Sequence, residues 1–200
     1  MDQICTGDEA PVRVMAISGS ARRDSYNTAL LREAVGLASR SMRIDLYDLS
    51  AIPPYDDDVR RQGYPPAVAA FREAIRASDA LLIATPEYNR SVPGMLKNAI
   101  DWASRRPDQP FQGKPIAIMG VSDGALGAAF ANHHLRQIFV YMDARLVNGP
   151  EVMVGGAKNK FDEAGRLVDQ ATRDFVAAHL RKLERLVRET RTLSRLAAVG

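Results

Sequence analysis

Short apolar runs rich in β-branched residues alternate along this chain with longer stretches of helical period, and few architectures satisfy that pattern. The runs predict strands at Val12–Ser18, Arg43–Leu49, Ala80–Thr85, Pro115–Val121 and Ala144–Val154. The stretches between them predict helices at Asn27–Ser39, Pro66–Ser78, Pro93–Ser104 and Ala128–Tyr141, with a last helix from about Ala164 onward. Strands that alternate with helices in this way build βαβ units, hence an α/β fold on a five-stranded parallel sheet. Val14-Met15-Ala16-Ile17 and Leu81-Leu82-Ile83-Ala84 are apolar without alternation, as strands must be when helices cover both faces. These two strands are therefore central in a three-layer, doubly wound sheet of order 2-1-3-4-5. In such a sheet ligands sit outside the carboxyl ends of the strands where the winding reverses, which directs attention to the loops after strands 1 and 3.

At 200 residues and 46% hydrophobic, the chain has the size and composition of one globular domain. No apolar run approaches the roughly 18 residues of a membrane span. The opening MDQICTGDEAPVR lacks the basic and apolar regions of a secretory signal, so a cytoplasmic location is expected. Cys5, the lone cysteine, has no partner for an internal disulfide and is read as incidental. The net charge of +3 is concentrated near the end, where Arg181, Lys182, Arg185, Arg188, Arg191 and Arg195 face only Glu184 and Glu189. The rest is nearly neutral, which argues against nucleic acid or a membrane surface as partner. Three segments follow: a flexible leader over 1–11, one domain over 12–185 and a basic helical tail over 186–200. Val176, Leu180, Leu183 and Val187 form an apolar stripe for packing on the body or on a sister subunit. Between Ile52 and Pro66, Pro, Asp and Arg predict a long irregular connection, either a plain surface loop or a wall of the site.

The first loop, Ser18-Gly19-Ser20-Ala21-Arg22-Arg23-Asp24-Ser25-Tyr26-Asn27, joins a buried strand to a helix and suits an anion. Gly19 permits a tight turn, backbone N–H groups and the helix N-terminus face the ligand, Ser20, Ser25 and Asn27 add donors, and Arg22 adds charge. Ser25 also fits a plain N-cap. The spacings of a Rossmann glycine fingerprint and of a P-loop are both missing, so a monophosphate fits better than a dinucleotide or a nucleoside triphosphate.

After strand 3 comes Thr85-Pro86-Glu87-Tyr88-Asn89-Arg90-Ser91-Val92-Pro93, a loop stiffened by two prolines that can hold polar groups against the edge of a flat heterocycle. Trp102, in an apolar helical set with Leu96, Ala99 and Ile100, belongs to the core. The loop after strand 4, Ser122-Asp123-Gly124-Ala125-Leu126-Gly127, is small enough to approach a ligand or is simply a flexible turn. His133, His134 and His179 do not cluster for a metal, since adjacent helical side chains point about 100° apart.

Gly19-Ser20-x-Arg22-x-x-Ser25-x-Asn27, then Pro86-Glu87-Tyr88-Asn89-x-Ser91-x-Pro93-Gly94-x-Leu96-Lys97-Asn98-Ala99-Ile100-Asp101-Trp102, and later His134-Leu135-Arg136, give the chain its likeness to a known group. Over roughly 12 to 185 it resembles the NADPH-dependent FMN reductase family, the flavodoxin-like group that includes chromate, azo-dye and quinone reductases. The resemblance implies that Ser18, Ser20, Arg22, Ser25 and Asn27 cradle the phosphate of bound FMN. It further implies that Pro86, Glu87, Tyr88 and Asn89 border the isoalloxazine while Ser122 and Gly124 close the pocket. NADPH or NADH would give hydride to the flavin, and a quinone, azo compound, free flavin or chromate would then take electrons in the same space, in ping-pong order. No side chain is assigned as catalytic, because the cofactor carries the chemistry. The resemblance also implies a homodimer or homotetramer, with Glu151, His133 and the helix around Arg136 either at an interface or on ordinary surface. A departure lies in the third loop, where Ala125 and Leu126 separate glycines that family members often hold adjacent.

Two other classes compete with this reading. A flavodoxin-type electron carrier would bind FMN and dock on proteins, though such carriers are commonly acidic. An adaptor using the basic tail would need the interleaved aromatics of a single-strand binder, which are missing.

Overall fold

The computed structural model describes residues 10–197, so Cys5 and nearly all of the expected leader lie outside the described residues. In chain order the elements are β1 (Val12–Ser18), α1 (Tyr26–Leu37), β2 (Met42–Tyr47), α2 (Asp57–Gln62), α3 (Pro66–Ala77) and β3 (Ala80–Thr85). There follow α4 (Gly94–Ala103), β4 (Pro115–Val121), α5 (Ala129–Tyr141), β5 (Arg145–Leu146), β6 (Val152–Val154) and α6 (Gln170–Ala197). The sheet is parallel in the order β2-β1-β3-β4-β5, as expected.

Successive strand residues face opposite layers, and both layers are apolar. Val14, Ala16, Leu82 and Met119 pack under α1 and α6 with Leu30, Leu31, Leu180 and Leu183. Met15, Ile17, Leu81, Ile83 and Ile118 pack on the other side under α3, α4 and α5 with Phe71, Ile75, Leu96, Leu135 and Phe139. That two-sided burial is why β1 and β3 show no polar alternation.

Two expectations are corrected. The fifth strand is not continuous over Ala144–Val154: β5 pairs with Pro115 and Ile116, Val147 N still donates to Ile116 O, β6 pairs with Met119 to Val121, and residues 148–151 leave the ladder between them. Gly149-Pro150 lies in that gap, and proline has no N–H to contribute to a ladder. The connection from Ile52 to Pro66 is not wholly irregular, because Asp56 accepts from the N–H groups of Asp58 and Val59 and so caps the short helix α2. The same connection is fastened to α4: Pro53 O accepts from Asn98 Nδ2 and from Trp102 Nε1, each at 2.8 Å, and Asn98 Oδ1 accepts from Tyr55 N at 2.7 Å. The carboxyl half of the longest motif is thus an anchor for this connection, and Trp102 is fully buried as expected.

The last helix begins at Gln170, later than expected, after a short 3₁₀ turn at Ala157–Asn159 and a bridge between Phe161 and Leu167. It runs without a break past residue 185. Val187 is buried, and Arg191 donates to the carbonyls of Ala10 and Pro11 and pairs with Asp79 at 2.9 Å. From Thr192 to Ala197 every residue is exposed. No described helix is long and apolar enough to cross a membrane.

His179, on the buried face of α6, has no hydrogen-bond partner at either ring nitrogen. Burial is the main force holding its pKa down at about 4; the Pro150 carbonyl, next in size, and the Ile118 carbonyl act against it, while the charges of Arg136 and Lys182 act with it. Unfolded, the imidazole takes up a proton below about 6.5; folded, it resists until about 4. Stability is therefore lost as pH falls through that window, by about 3 kcal/mol for this one residue. Urea titrations of wild type and His179→Leu are expected to diverge by that amount between pH 7 and pH 4; parallel curves would show that His179 protonates without resistance.

Candidate functional site

At the carboxyl edge of the sheet the three loops singled out from sequence stand side by side. The first is held by main-chain bonding, since Gly19 N donates to Ala84 O at 2.8 Å. A Cβ at Gly19 would lie 3.2 Å from Pro86 Cδ and from Leu96 Cδ2, so its absence lets the first and second loops touch. Ser18 Oγ shares a hydrogen bond of 2.8 Å with Thr28 Oγ1 and accepts from Ser20 N, and Ser20 Oγ accepts from Arg22 N. Ser25 is the N-cap of α1, its side chain accepting from Thr28 N. The N–H groups of Ala21, Arg23, Asp24 and Ser25 have no acceptor among the described residues. These four donors lie in the loop that leads into the twelve-residue helix α1, a setting that suits a phosphate dianion.

Ser18, Ser20 and Arg22 line a groove of about 360 Å³ with Thr28, Leu46–Ser50 and Met95. That is large enough for a ligand of this class. Asp48 borders it, its carboxylate held below the usual range by hydrogen bonds from Ser50 N and Oγ. A second groove, of about 430 Å³, runs along the other side of Arg22 between the start of α1 and residues 162–165. Arg22 itself folds back, donating to Asp24 O at 2.6 Å with its guanidinium over the Tyr26 ring.

Asn27 is placed differently from the other candidates. It is 3% exposed, its Nδ2 donates to Val121 O at 3.0 Å and its Oδ1 accepts from Val121 N at 3.1 Å. β3 pairs with β4 only as far as Gly120, so Asn27 extends the ladder by one residue and ties α1 to the end of β4.

In the second loop Thr85 Oγ1 donates to Pro86 O at 2.7 Å. Tyr88 and Ser91 exchange backbone hydrogen bonds around Asn89 and Arg90, both with positive φ (49° and 61°). Positive φ at both central residues marks a type I′ turn. The Glu87 carboxylate points away from this turn: Oε2 accepts from Phe130 N at 2.8 Å and from Ala131 N at 3.2 Å. It thereby caps α5, whose own N-cap residue Ala128 has no side chain for the purpose. Glu87 is thus joined to α5 through its carboxylate.

The third loop lies on β6 and the turn after it. Ser122 N donates to Val154 O and Ser122 O accepts from Ala157 N, while Ser122 Oγ donates to Gly124 O. Around a Cβ built on Gly124, only Ser122 Oγ comes within reach, at 3.6 Å, so this position is open to a ligand. At Gly127 and Gly155 an added Cβ would meet backbone at 2.5 Å, so those glycines serve packing between the segments.

Sequence reasoning missed Thr28, Asp48, Ser50 and Met95. Thr28 carried a local signal, being the third helical residue after the Ser25 cap and so turned back toward the loop. Met95 carried none, since only packing of α4 against β1 brings it to the groove. Among the described residues no group of His, Cys, Asp and Glu side chains suits a metal ion.

A doubly wound parallel sheet of order β2-β1-β3-β4-β5, with the loops after β1, β3 and β4 gathered at its carboxyl edge, defines the flavodoxin-like class of FMN-dependent proteins. The sequence pattern of the NADPH-dependent FMN reductases matches residues 12–159, and the chain belongs to that family. It is 54% identical over 180 residues to an NAD(P)H-dependent FMN reductase of Pseudomonas aeruginosa, covering 90% of this chain and 97% of that one. A quinone reductase of Escherichia coli is 45% identical over 172 residues, covering 84% and 92%. Among solved structures, the flavoenzyme FerB of Paracoccus denitrificans, an NAD(P)H:(acceptor) oxidoreductase, superimposes with a TM-score of 0.81 at 33% identity, covering 90% of this chain and 98% of that one.

Proposed function

We propose that the chain is an FMN-dependent NAD(P)H oxidoreductase that reduces small acceptors, quinones foremost, in ping-pong order. Open N–H groups of Ala21, Arg23, Asp24 and Ser25 beside Ser20 and Arg22 carry this reading, because together they match the phosphate of FMN in charge and donor number. When bound, FMN supplies two-electron redox chemistry, and the protein orients the ring and excludes competing reactions. The main chain of Pro86, Glu87, Tyr88 and Asn89 would border the ring, with Ser122 and Gly124 on the adjoining side. Exposed Tyr88, Leu126 and Phe130 surround these loops with apolar surface, which favours a flat, apolar acceptor such as a quinone over chromate.

On α5 the exposed Val140 and Tyr141 support a homodimer, or a dimer of dimers, in which this helix is covered. Light scattering on the purified protein checks that reading, and a monomeric mass would end it. For the activity, the protein reconstituted with FMN is expected to show a flavin spectrum that bleaches on anaerobic addition of NADPH or NADH and returns with a quinone. Failure to bind FMN would overturn the assignment, and faster turnover of chromate than of benzoquinone would overturn the choice of acceptor. Arg22→Ala is expected to weaken FMN between about tenfold and a hundredfold, the range for loss of a charge-assisted hydrogen bond, as measured by fluorescence titration.

A further inference from the structure

The second loop is fastened to α5 at two points. At its start the Glu87 carboxylate caps the helix through Phe130 N and Ala131 N. At its far end Ser91 Oγ lies 3.0 Å from His134 Nδ1, one helical turn further along. Between these points the chain makes the Tyr88–Ser91 turn, in which Arg90 holds a positive φ that costs a non-glycine residue about 1 kcal/mol. The Arg90 guanidinium lies over the Phe130 ring, 5.0 Å from its centroid, a third contact with the same helix. A strained turn keeps one shape only when its surroundings over-determine it.

We infer that His134 is a positioning residue for the flavin reaction. Through Ser91 it holds the Tyr88–Ser91 turn in the single conformation that presents main-chain groups to the ring. The histidine acts through Ser91, and its contribution is to keep the loop from relaxing between turnovers. Glu87 fixes the base of the same loop, so the Ser91–His134 bond decides where its tip lies. This inference rests on the reading of residues 86–89 as the border of FMN.

Three variants test it: Ser91→Ala, His134→Leu and the double substitution. Each single variant is expected to weaken FMN about tenfold, the scale of one net hydrogen bond, and to displace the visible absorption bands of the bound flavin. The double variant should be no worse than either single one, because both remove the same bond. His134→Asn, whose side-chain amide reaches the Nδ1 position, should restore most of the affinity. Thermal unfolding of the apoproteins separates this role from a general loss of fold, and Ser91→Ala, in a loop, is expected to unfold cooperatively within about 2–4 °C of wild type. Unchanged FMN affinity and spectrum in His134→Leu, or fully additive losses in the double variant, would overturn the inference. A wild type that binds no FMN would overturn the underlying reading, a result distinct from both.

Discussion

Gly127→Ala is expected to destabilise the protein by about 3 kcal/mol and to abolish stable FMN binding at ordinary concentrations. Two costs combine. Gly127 has a φ of +56°, where an L side chain costs about 1–2 kcal/mol. The added Cβ would also lie 2.5 Å from Met153 C and 2.6 Å from Val154 N, which are backbone atoms of β6 and cannot swing aside. Overpacking of that kind costs a further ~1–3 kcal/mol. Relief requires the Ser122–Ala128 loop to lift from β6, and the start of α5 lifts with it. For a chain of this size the melting temperature should fall by about 6–12 °C. Gly124→Ala provides the contrast. Its φ is not in the left-handed region and only Ser122 Oγ comes within 4 Å of the added Cβ, so the apoprotein should melt as wild type does. If Gly124 lies against the ligand as expected, that variant loses FMN or nucleotide affinity alone. Equal melting temperatures for wild type and Gly127→Ala would refute the packing account.

Asn27→Ala is expected to cost a similar ~3 kcal/mol, and to do so in the absence of FMN. The substitution leaves the N–H and the carbonyl of Val121 unpaired in a buried setting, and each orphaned group costs about 1–3 kcal/mol. It also frees the start of α1 from β4, so the phosphate cradle would lose its position as well as a neighbour. A phosphate ligand behaves otherwise: its removal lowers FMN affinity and spares the apoprotein. Denaturant unfolding of the apoprotein therefore decides the role, and an unchanged midpoint would return Asn27 to direct contact with the phosphate.

These two residues mark how far the sequence could be read. Gly127 looked like part of a ligand loop, and Asn27 looked like a donor to phosphate, because small and polar residues after a strand have the same composition whichever surface they meet. The position of these loops at the carboxyl edge of the sheet was legible; the direction of each side chain was not. Glu87 makes the same point, since the resemblance implied a place at the border of the flavin ring whereas the structure shows its carboxylate on α5, 43 residues further along the chain. The interruption of the fifth strand was written in Gly149-Pro150, yet β-branched residues on both sides outweighed it when the segment was read as one run.

Periodicity along the chain was enough for the parallel α/β class, the strand order, and the burial of β1 and β3 on both faces. Those properties depend on periodicity and on backbone chemistry, which act locally and leave a trace in every run of ten residues. Only the tertiary structure decided which hydroxyls, amides and carboxylates turn toward a ligand and which are consumed in joining one segment to another. That choice is made by the nearest unpaired hydrogen-bonding group in space, and in this fold the nearest group is often a strand away.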